Sequence, residues 1–509
     1  MVSLFFSSFC DCGLKEPKTS FHRRDLNKTS NKSARTLLKK LSSAWRFIKT
    51  SYNPSTHKTG EDAQLEFIVA AVYDRRMKVM RRSQSGATVT MAFKSFIDVP
   101  RDSHFPIQNL PFGIFQPKQG KPRVGVAIGE YVLDLSILEE LGHFHSPEFQ
   151  GRRVFSQDSL NALLALGRPA WRKAREVIQH LLSAETPTLR DDAELRARIF
   201  HARKDVVMQL PARIGNYTDF YSSYHHAHNV GTMLRGPENA LMPNWKWLPV
   251  AYHGRASSIV ISGTEVRRPN GQTKPPDAAV PVFGPSKSFD YELEMAFLIG
   301  PGNSLGDPVP IDRAIDHIFG FVMMNDWSAR DIQAWEYQPL GPFLAKNFCT
   351  SISPWVVTLE ALEPFRKPLP DQDPEPLPYL RQKNDFTFDI HLEAHLKTPS
   401  MDAPHIITRT NFQNLYWSVA QQLAHHTING CNMQPGDLLA SGTISGPTEE
   451  SRGCMLELTW RGANPLKLPD GETRKWLEDG DTLTITGWCE GDGYRVGFGE
   501  VTGRVLPAV

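Results

Sequence analysis

The sequence lacks any long apolar segment and contains few cysteines. No apolar run approaches the ~20 residues that a membrane-spanning helix needs, and the best candidate, residues 65–73, is far too short. Six cysteines in 509 residues are too few for the disulfide framework of a secreted protein. We therefore expect a soluble, cytoplasmic protein with reduced thiols and no membrane partner. At this length, two or more folded units are expected.

Net charge is also small, at +2, but it is unevenly distributed. Residues 1–90 carry 17 Lys and Arg against 7 Asp and Glu, whereas the rest of the chain has a net charge of −8. A mildly acidic body has no excess of basic residues of the kind that nucleic-acid binding requires. No nucleic-acid partner is expected.

Residues 1–90 are rich in Ser, Thr, Lys and Arg and show no sustained hydrophobic periodicity. Three interpretations compete: a mitochondrial-type presequence, a disordered basic tail, or upstream sequence outside the working protein. Recurring acidic residues, such as Asp11 and Glu61, weaken the first interpretation. Because Met91 opens a stretch typical of a protein start, we favour the last and predict a disordered basic extension outside the fold.

Residues 91–209 are predicted to form a small N-terminal domain. Arg123–Leu135 has the pattern of two strands joined by a glycine turn. Asn161–Ala184 places its apolar residues near helical spacing, which predicts one amphipathic helix, and Asp192–Phe200 predicts a second, shorter helix.

Residues 210–509 are dominated by short strand patterns with Gly and Pro turns, which predicts a mixed, mostly β catalytic domain. Gly480–Trp488 alternates apolar and polar residues as a half-buried strand does, and Tyr494–Val505 predicts one or two further strands. The main helix of this region is predicted over Asn414–Ile428.

Two carboxylates two residues apart, Glu292 and Glu294, precede an apolar run. On a strand, residues i and i+2 share a face, and adjacent carboxylates repel each other unless a cation or a proton lies between them. A solvated strand face is the alternative interpretation. The apolar run Ile318–Met324 ends in Asn325 and Asp326, as expected of a buried strand that delivers a carboxylate into a site.

A helix is predicted after Asp326, and it would carry Arg330, Gln333 and Tyr337 on one face. Donors from Arg and Gln beside a carboxylate suit the stabilisation of an oxyanion. An ordinary surface helix would give the same spacing.

The segment 217–226 concentrates Asp219, Tyr221, His225 and His226 in ten residues. A polar loop anchored by its aromatic residues is the alternative to a catalytic role. Composition does not choose between the two histidines as a general base. The later pair, His425 and His426, is predicted to serve packing and the surface.

Taken together, these segments resemble the eukaryotic-type members of the fumarylacetoacetate hydrolase family. The resemblance runs from about Phe105 to the C-terminus, and each motif gains specificity because all occur in order. The motifs are FPIQNLPFGIF, residues 214–231, LMPNWKWLPVAYHGRASS, residues 292–297, residues 325–346 and GDLLASGTISGP.

The resemblance implies a small SH3-like barrel (residues 91–209) followed by a mixed β-roll catalytic domain (residues 210–509), assembled as a homodimer. It also implies a Ca²⁺ or Mg²⁺ site formed by Asp219, Glu292, Glu294 and Asp326, with Lys346 and Thr350 at an accessory cation site. The implied catalytic residues are His226 as base, Glu457 as its support, and Arg330, Gln333 and Lys346 at the oxyanion. The implied substrate contacts are Tyr221, Arg235, Tyr252, Gln333, Tyr337 and Thr443.

The implied activity is metal-dependent hydrolysis of the carbon–carbon bond of 4-fumarylacetoacetate, the last step of tyrosine and phenylalanine catabolism. Acylpyruvate hydrolysis or oxaloacetate decarboxylation on the same scaffold is the nearest alternative, and a non-catalytic scaffold is another. One departure from the family pattern is Cys349, where the family usually has glycine. It puts the geometry of the accessory site in question.

Overall fold

A computed structural model describes residues 94–383 and 385–509 of the chain. The predictions for residues 1–90 therefore lie outside the described residues. Within the described ranges, strands dominate and helices are short, which confirms the mostly β prediction with some helix. None of the described helices is both long enough and apolar enough to cross a bilayer.

The N-terminal part contains a five-stranded antiparallel sheet. Its strands, in spatial order, are Phe200–Ala202, Tyr131–Asp134, Arg123–Ile128, Phe112–Pro117 and Val206–Gln209. The predicted strand pair is confirmed, and Gly129 makes the turn between its two strands with a φ of 53°. Residues with a Cβ atom rarely adopt positive φ, whereas glycine adopts it freely.

One helical prediction in this part is wrong. Asn161–Ala184 forms two helices, Asn161–Leu164 and Arg168–Leu182, and not one. Gly167, with a φ of 82°, breaks the helix, and Pro169 at the start of the second helix cannot continue the first. The shorter predicted helix is confirmed as Ala193–Ile199, where the Asp192 side chain accepts a hydrogen bond from the Leu195 amide.

An eight-stranded sheet, here called the central sheet, lies between two hydrophobic cores. Its path, in spatial order, is Ala251–Gly254, Tyr217–Phe220, Leu438–Ala440, Leu293–Ile299, Ile318–Asp326, Thr350–Ile352 and Ile259–Ile261, with Val357–Thr358 paired to Ile318–Asp326. The two central strands are buried along their whole length because both faces of the sheet are covered.

The two faces of the central sheet belong to different hydrophobic cores. Ala296 and Val322 lie opposite each other and pack with the apolar residues of the N-terminal part. Phe297 and Phe321 point the other way, into the core of the C-terminal part. The first core therefore runs across residue 210, and the boundary between 209 and 210 stays a prediction.

A second five-stranded sheet completes the C-terminal core. Its strands, in spatial order, are His405–Asn411, His391–Lys397, Thr482–Glu490, Arg495–Leu506 and Val266–Arg267. Both predicted C-terminal strands are thus confirmed. Four two-stranded ribbons add the pairs Asn270–Thr273 with Val282–Pro285, Phe289–Asp290 with Ser328–Ala329, Arg366–Pro368 with Phe386–Phe388, and Leu466–Lys467 with Thr473–Arg474.

The predicted main helix begins later than expected, at Val419, and ends at Thr427. Ser418 caps it, because its side chain accepts from the Gln421 amide while the Gln421 side chain accepts from the Ser418 amide. The preceding residues 412–414 form a 3-10 turn. The remaining α-helices are Leu135–Glu140, Pro187–Arg190, Tyr224–Arg235, Arg330–Glu336, Leu359–Leu362 and Met455–Leu458.

Candidate active site and metal centre

Four carboxylates meet at one end of the central sheet. Asp219 and Asp326 lie at the ends of their strands, Glu294 lies within its strand, and Glu292 directly precedes it. One carboxylate oxygen from each of the four residues lies within 4.8 Å of the corresponding oxygen of the other three, and all four residues are buried. The strand pairing explains the convergence: Asp219 pairs with Ala440, which pairs with Ala296 on the face that also carries Glu294.

Two of these carboxylates are incompletely compensated. Burial, reinforced by the neighbouring carboxylates, raises the pKa of Asp219 and the pKa of Glu294 well above their usual range. Among the described residues, Asp219 Oδ1 and Glu294 Oε1 receive no hydrogen bond, although both atoms are buried. Oxygen atoms left in this condition fit a hard cation, and an all-oxygen donor set fits Ca²⁺ or Mg²⁺ better than Zn²⁺.

Basic side chains hold the other two carboxylates. Lys346 Nζ lies 2.5 Å from Glu292 Oε2 and 2.7 Å from Asp326 Oδ2, and Arg330 Nη1 lies 2.7 Å from Glu292 Oε1. Burial would raise the pKa of Glu292, but Lys346 and Arg330 outweigh it and hold that pKa below its usual range. Thr350 Oγ1 donates to Asp326 Oδ1 over 2.8 Å.

Lys346 stays protonated in this setting. Burial would lower the pKa of its ammonium, but Asp326 and Glu292 outweigh burial and raise it. A protonated ammonium has no lone pair to offer a metal ion, so its side chain acts here as a positive charge.

His226 and Glu457 form a buried pair beside the carboxylates. His226 is the third residue of the helix Tyr224–Arg235, whose first turn is capped by Ser223. Its Nδ1 lies 2.6 Å from Glu457 Oε2. Burial would raise the pKa of Glu457, but His226 and its hydrogen bond outweigh it and lower the pKa to about 2. An ionised carboxylate can only accept, so Nδ1 carries a hydrogen, and in the neutral imidazole Nε2 then holds the lone pair.

The partners that hold Glu457 were not predicted from the sequence. Asn229 Nδ2 donates to Oε1 over 2.8 Å, Ser445 Oγ donates to Oε2 over 2.7 Å, and Cys454 Sγ lies 3.2 Å from Oε2. Asn229 lies three residues after His226, so helical spacing could have identified it. Ser445 lies in the glycine-rich motif at residues 436–447, but no spacing rule connects it to Glu457.

Two donors near the carboxylates are unpaired within the described part of the chain. Arg330 Nη2 and Thr443 Oγ1 are buried without a hydrogen-bond partner there. Gln333 lies one helical turn after Arg330, and its Oε1 accepts from Arg330 Nη1 over 3.2 Å. Tyr252 donates to Asp326 Oδ2 over 3.2 Å. Arg330 and Tyr252 thus contact the carboxylates directly, and Gln333 is joined to them through Arg330.

Of the other predicted substrate residues, one lies beside the base and two are exposed. The ring of Tyr221 packs edge-on against His226, with centroids 5.3 Å apart. Arg235 is exposed at the helix end, where its guanidinium donates to the carbonyl oxygens of Asn239 and Ala240. Tyr337 is also exposed, just past the end of the helix Arg330–Glu336, and accepts from Gln338 Nε2.

Comparison with known proteins places this arrangement in a family. The family model described as "Fumarylacetoacetate (FAA) hydrolase C-terminal" matches residues 216–506, and "Fumarylacetoacetase N-terminal" matches residues 108–211. The Arabidopsis thaliana protein named fumarylacetoacetase is 59% identical over 416 residues, which is 82% of this chain and 99% of that protein. The Homo sapiens protein of the same name is 57% identical over 417 residues, again 82% and 99%. A solved fumarylacetoacetate hydrolase from Exiguobacterium antarcticum has 17% identity and a TM-score of 0.44, and the match covers 78% of this chain and 99% of that one.

Proposed function

The chain belongs to the fumarylacetoacetate hydrolase family and carries the N-terminal region of the fumarylacetoacetases, and we propose that it hydrolyses 4-fumarylacetoacetate to fumarate and acetoacetate. The observation that carries the proposal is the buried pair of His226 and Glu457 next to four converging carboxylates. A base and an oxygen-rich cation site are what hydrolysis of a diketo acid requires.

The cofactor in this proposal is Ca²⁺ or Mg²⁺. Asp219, Glu292, Glu294 and Asp326 would hold it, since their oxygen atoms are the ligands that these ions prefer. When bound, the ion supplies Lewis-acid polarisation of the diketo oxygens. Lys346 and Thr350 would bind the accessory cation through oxygen atoms only, because the Lys346 ammonium is protonated. The backbone carbonyl of Lys346 is then the ligand that this residue can offer.

His226 starts the reaction by taking a proton from water at Nε2, while Glu457 holds the opposite ring nitrogen and stabilises the imidazolium. The water oxygen adds to the carbonyl carbon of the fumaryl group. The carbon–carbon bond then breaks, and its electron pair passes to the acetoacetate fragment as an enolate. Return of the proton to the enolate carbon completes the balance of atoms and gives the two acids.

Stabilisation of the oxyanion and the enolate is assigned to Arg330, Gln333 and Lys346. Arg330 Nη2 is a buried donor without a protein partner among the described residues, so it is free to bind a developing negative charge. Substrate contacts are assigned to Tyr221 beside the base, to Tyr252 and Thr443 near the carboxylates, and to Arg235 and Tyr337 at exposed positions.

The same proposal includes a homodimer, an SH3-like class for the N-terminal sheet and a cytoplasmic location. Exposed apolar side chains offer contact area for the dimer: Phe283 is 75% exposed, Leu340 96% and Phe343 66%. The free thiols of Cys349, Cys431, Cys454 and Cys489 agree with a reducing compartment. Light scattering of Phe343→Asp against the wild type tests the dimer, because a charge at a dimer contact should yield the monomer mass.

An absorbance assay of fumarylacetoacetate loss, run with and without a chelator, tests the reaction and its dependence on a cation. Turnover should stop in the chelator and return with Ca²⁺ or Mg²⁺. Acylpyruvates and oxaloacetate run in parallel address the alternative reactions on this scaffold. A wild-type protein that prefers one of them, or that turns over none, would refute the proposal.

A further inference from the structure

Asp290 is a fully buried carboxylate that belongs neither to the His226–Glu457 pair nor to the four carboxylates of the cation site. It lies two residues before Glu292. Its Oδ1 accepts from the amides of Tyr291 and Met455 over 2.8 and 2.7 Å. Its Oδ2 accepts from the Leu456 amide over 3.0 Å and from Arg330 Nε over 2.8 Å.

These contacts join two parts of the site that are far apart in the chain. Met455 and Leu456 open the short helix Met455–Leu458, whose third residue is Glu457. Asp290 therefore caps the helix that carries the partner of the base. The same carboxylate fixes Arg330, whose other nitrogen, Nη1, lies 2.7 Å from Glu292 Oε1.

We infer that Asp290 is a positioning residue that fixes the His226–Glu457 base relative to Arg330 and Glu292. The inference rests on the proposed function for its kinetic consequence, and on the contacts alone for its structural one. Asp290 contacts backbone amides and a guanidinium, and it acts on the reaction through Glu457 and Arg330.

Replacement by asparagine removes one acceptor and the charge while it preserves the size of the side chain. The new amide nitrogen is a donor, and it would face either the Leu456 amide or Arg330 Nε, which are donors too. Arg330 would keep Glu292 as its remaining carboxylate partner. The base and the oxyanion donors would then lose their common anchor, and loss of such outer contacts commonly costs about 10–100-fold in activity.

Asp134 provides a matched control in the N-terminal part. It is equally buried, it caps the helix Leu135–Glu140 by accepting from the Ser136 amide over 3.0 Å, and it pairs with Arg123 Nε at 2.7 Å. Asp134→Asn thus removes the same chemistry from a place that contacts none of the site residues. Any general cost of disturbing a buried, capping aspartate should appear in both variants.

Steady-state kinetics of Asp290→Asn, Asp134→Asn and Glu457→Gln, alone and combined, test the inference. We expect kcat of Asp290→Asn to fall by about 10–100-fold with KM changed only a few-fold, while Asp134→Asn keeps the wild-type kcat per folded molecule. The losses from Asp290→Asn and Glu457→Gln should be less than multiplicative, because both act through the same imidazole. Equal kcat values in the two aspartate variants, or fully multiplicative losses, would overturn the inference.

Hydrogen exchange provides a test that needs neither turnover nor a stable Asp290 variant. Arg330→Lys removes Nε from Asp290, so peptides spanning residues 454–458 should exchange faster than in the wild type, while peptides spanning residues 135–140 stay unchanged. Unchanged exchange at 454–458 would show that Asp290 does not link the two parts. A wild type without turnover would contradict the proposed reaction and leave this result valid.

Discussion

Replacement of His226 by asparagine tests the assignment of the base most directly. His226 is 3% exposed, and its Nδ1 lies 2.6 Å from Glu457 Oε2. The amide of an asparagine can still donate a hydrogen bond in that direction, so the fold and the ionised Glu457 should be retained. It cannot take a proton from water, because an amide is not basic near neutral pH.

The magnitude follows from what a positioned base contributes. General-base action is worth about 10²–10⁴-fold in rate, which corresponds to about 3–5 kcal/mol of the activation barrier. His226 is not one of the four residues that would hold the cation. The affinity for Ca²⁺ or Mg²⁺ should therefore stay close to that of the wild type. We therefore expect a fall in kcat of about 10²-fold or more, with KM changed only a few-fold.

His225→Asn is the matched control. Successive residues of a helix point about 100° apart, so only one of two adjacent histidines can face the site. His225 packs edge-on against Tyr224, with ring centroids 5.6 Å apart, and it should be nearly silent. Glu457→Gln should fall between the two, since Glu457 orients the imidazole. The assay is steady-state loss of fumarylacetoacetate at matched metal occupancy, and a crippled His225→Asn with a normal His226→Asn would refute the assignment.

Three further predictions rest on the structure and a fourth on the sequence. Ca²⁺ or Mg²⁺ at a hundredfold excess over Kd should stabilise the metal-free protein by about 2.7 kcal/mol, which thermal unfolding would record as a higher Tm. Asp326→Ala should lose both this stabilisation and turnover. Cys349→Gly should keep turnover within a few-fold, because burial raises the pKa of that thiol to about 12 and a neutral thiol is no metal ligand. Burial, with nearby arginines, lowers the pKa of His104 to about 4, so only the unfolded chain takes up this proton as the pH falls below 6.5. The free energy of unfolding, measured by urea titration, should therefore be lower by roughly 2 kcal/mol at pH 5. His104→Gln should not show this loss of stability. A protein starting at Met91 should fold and turn over normally in the same kinetic assay.

Some of the site could be predicted from local spacing. Glu292 and Glu294 are two residues apart on an extended segment, and Asp326 ends a buried strand, so their shared destination follows from strand geometry. Arg330 and Gln333 lie one turn apart on a helix, as their spacing indicates. In each case the contact is local, and the period of one element determines it.

The rest depends on how distant segments pair. Asp219 reaches the other carboxylates only because its strand pairs in parallel with Leu438–Ala440, which in turn pairs with Leu293–Ile299. Glu457 lies 231 residues from His226 in the chain. No period within either segment encodes such a register, so the resemblance to a family had to supply these residues. The sequence does not predict the role of Asp290 for another reason: two residues before Glu292, it has no pattern that distinguishes a buried cap from a solvated charge.

The central sheet also connects the N-terminal core with the strands that carry the carboxylates. Glu294 and Asp326 lie on the same face as Ala296 and Met324, and these apolar residues pack into the N-terminal core. Four buried carboxylates are unfavourable to assemble, because burial and mutual repulsion both oppose their charged forms. The favourable burial of the apolar residues further along the same face offsets part of this cost. Substitutions that weaken this packing, such as Ile352→Ala, should therefore lower the Tm of the metal-free protein in thermal unfolding, although Ile352 carries no ligand.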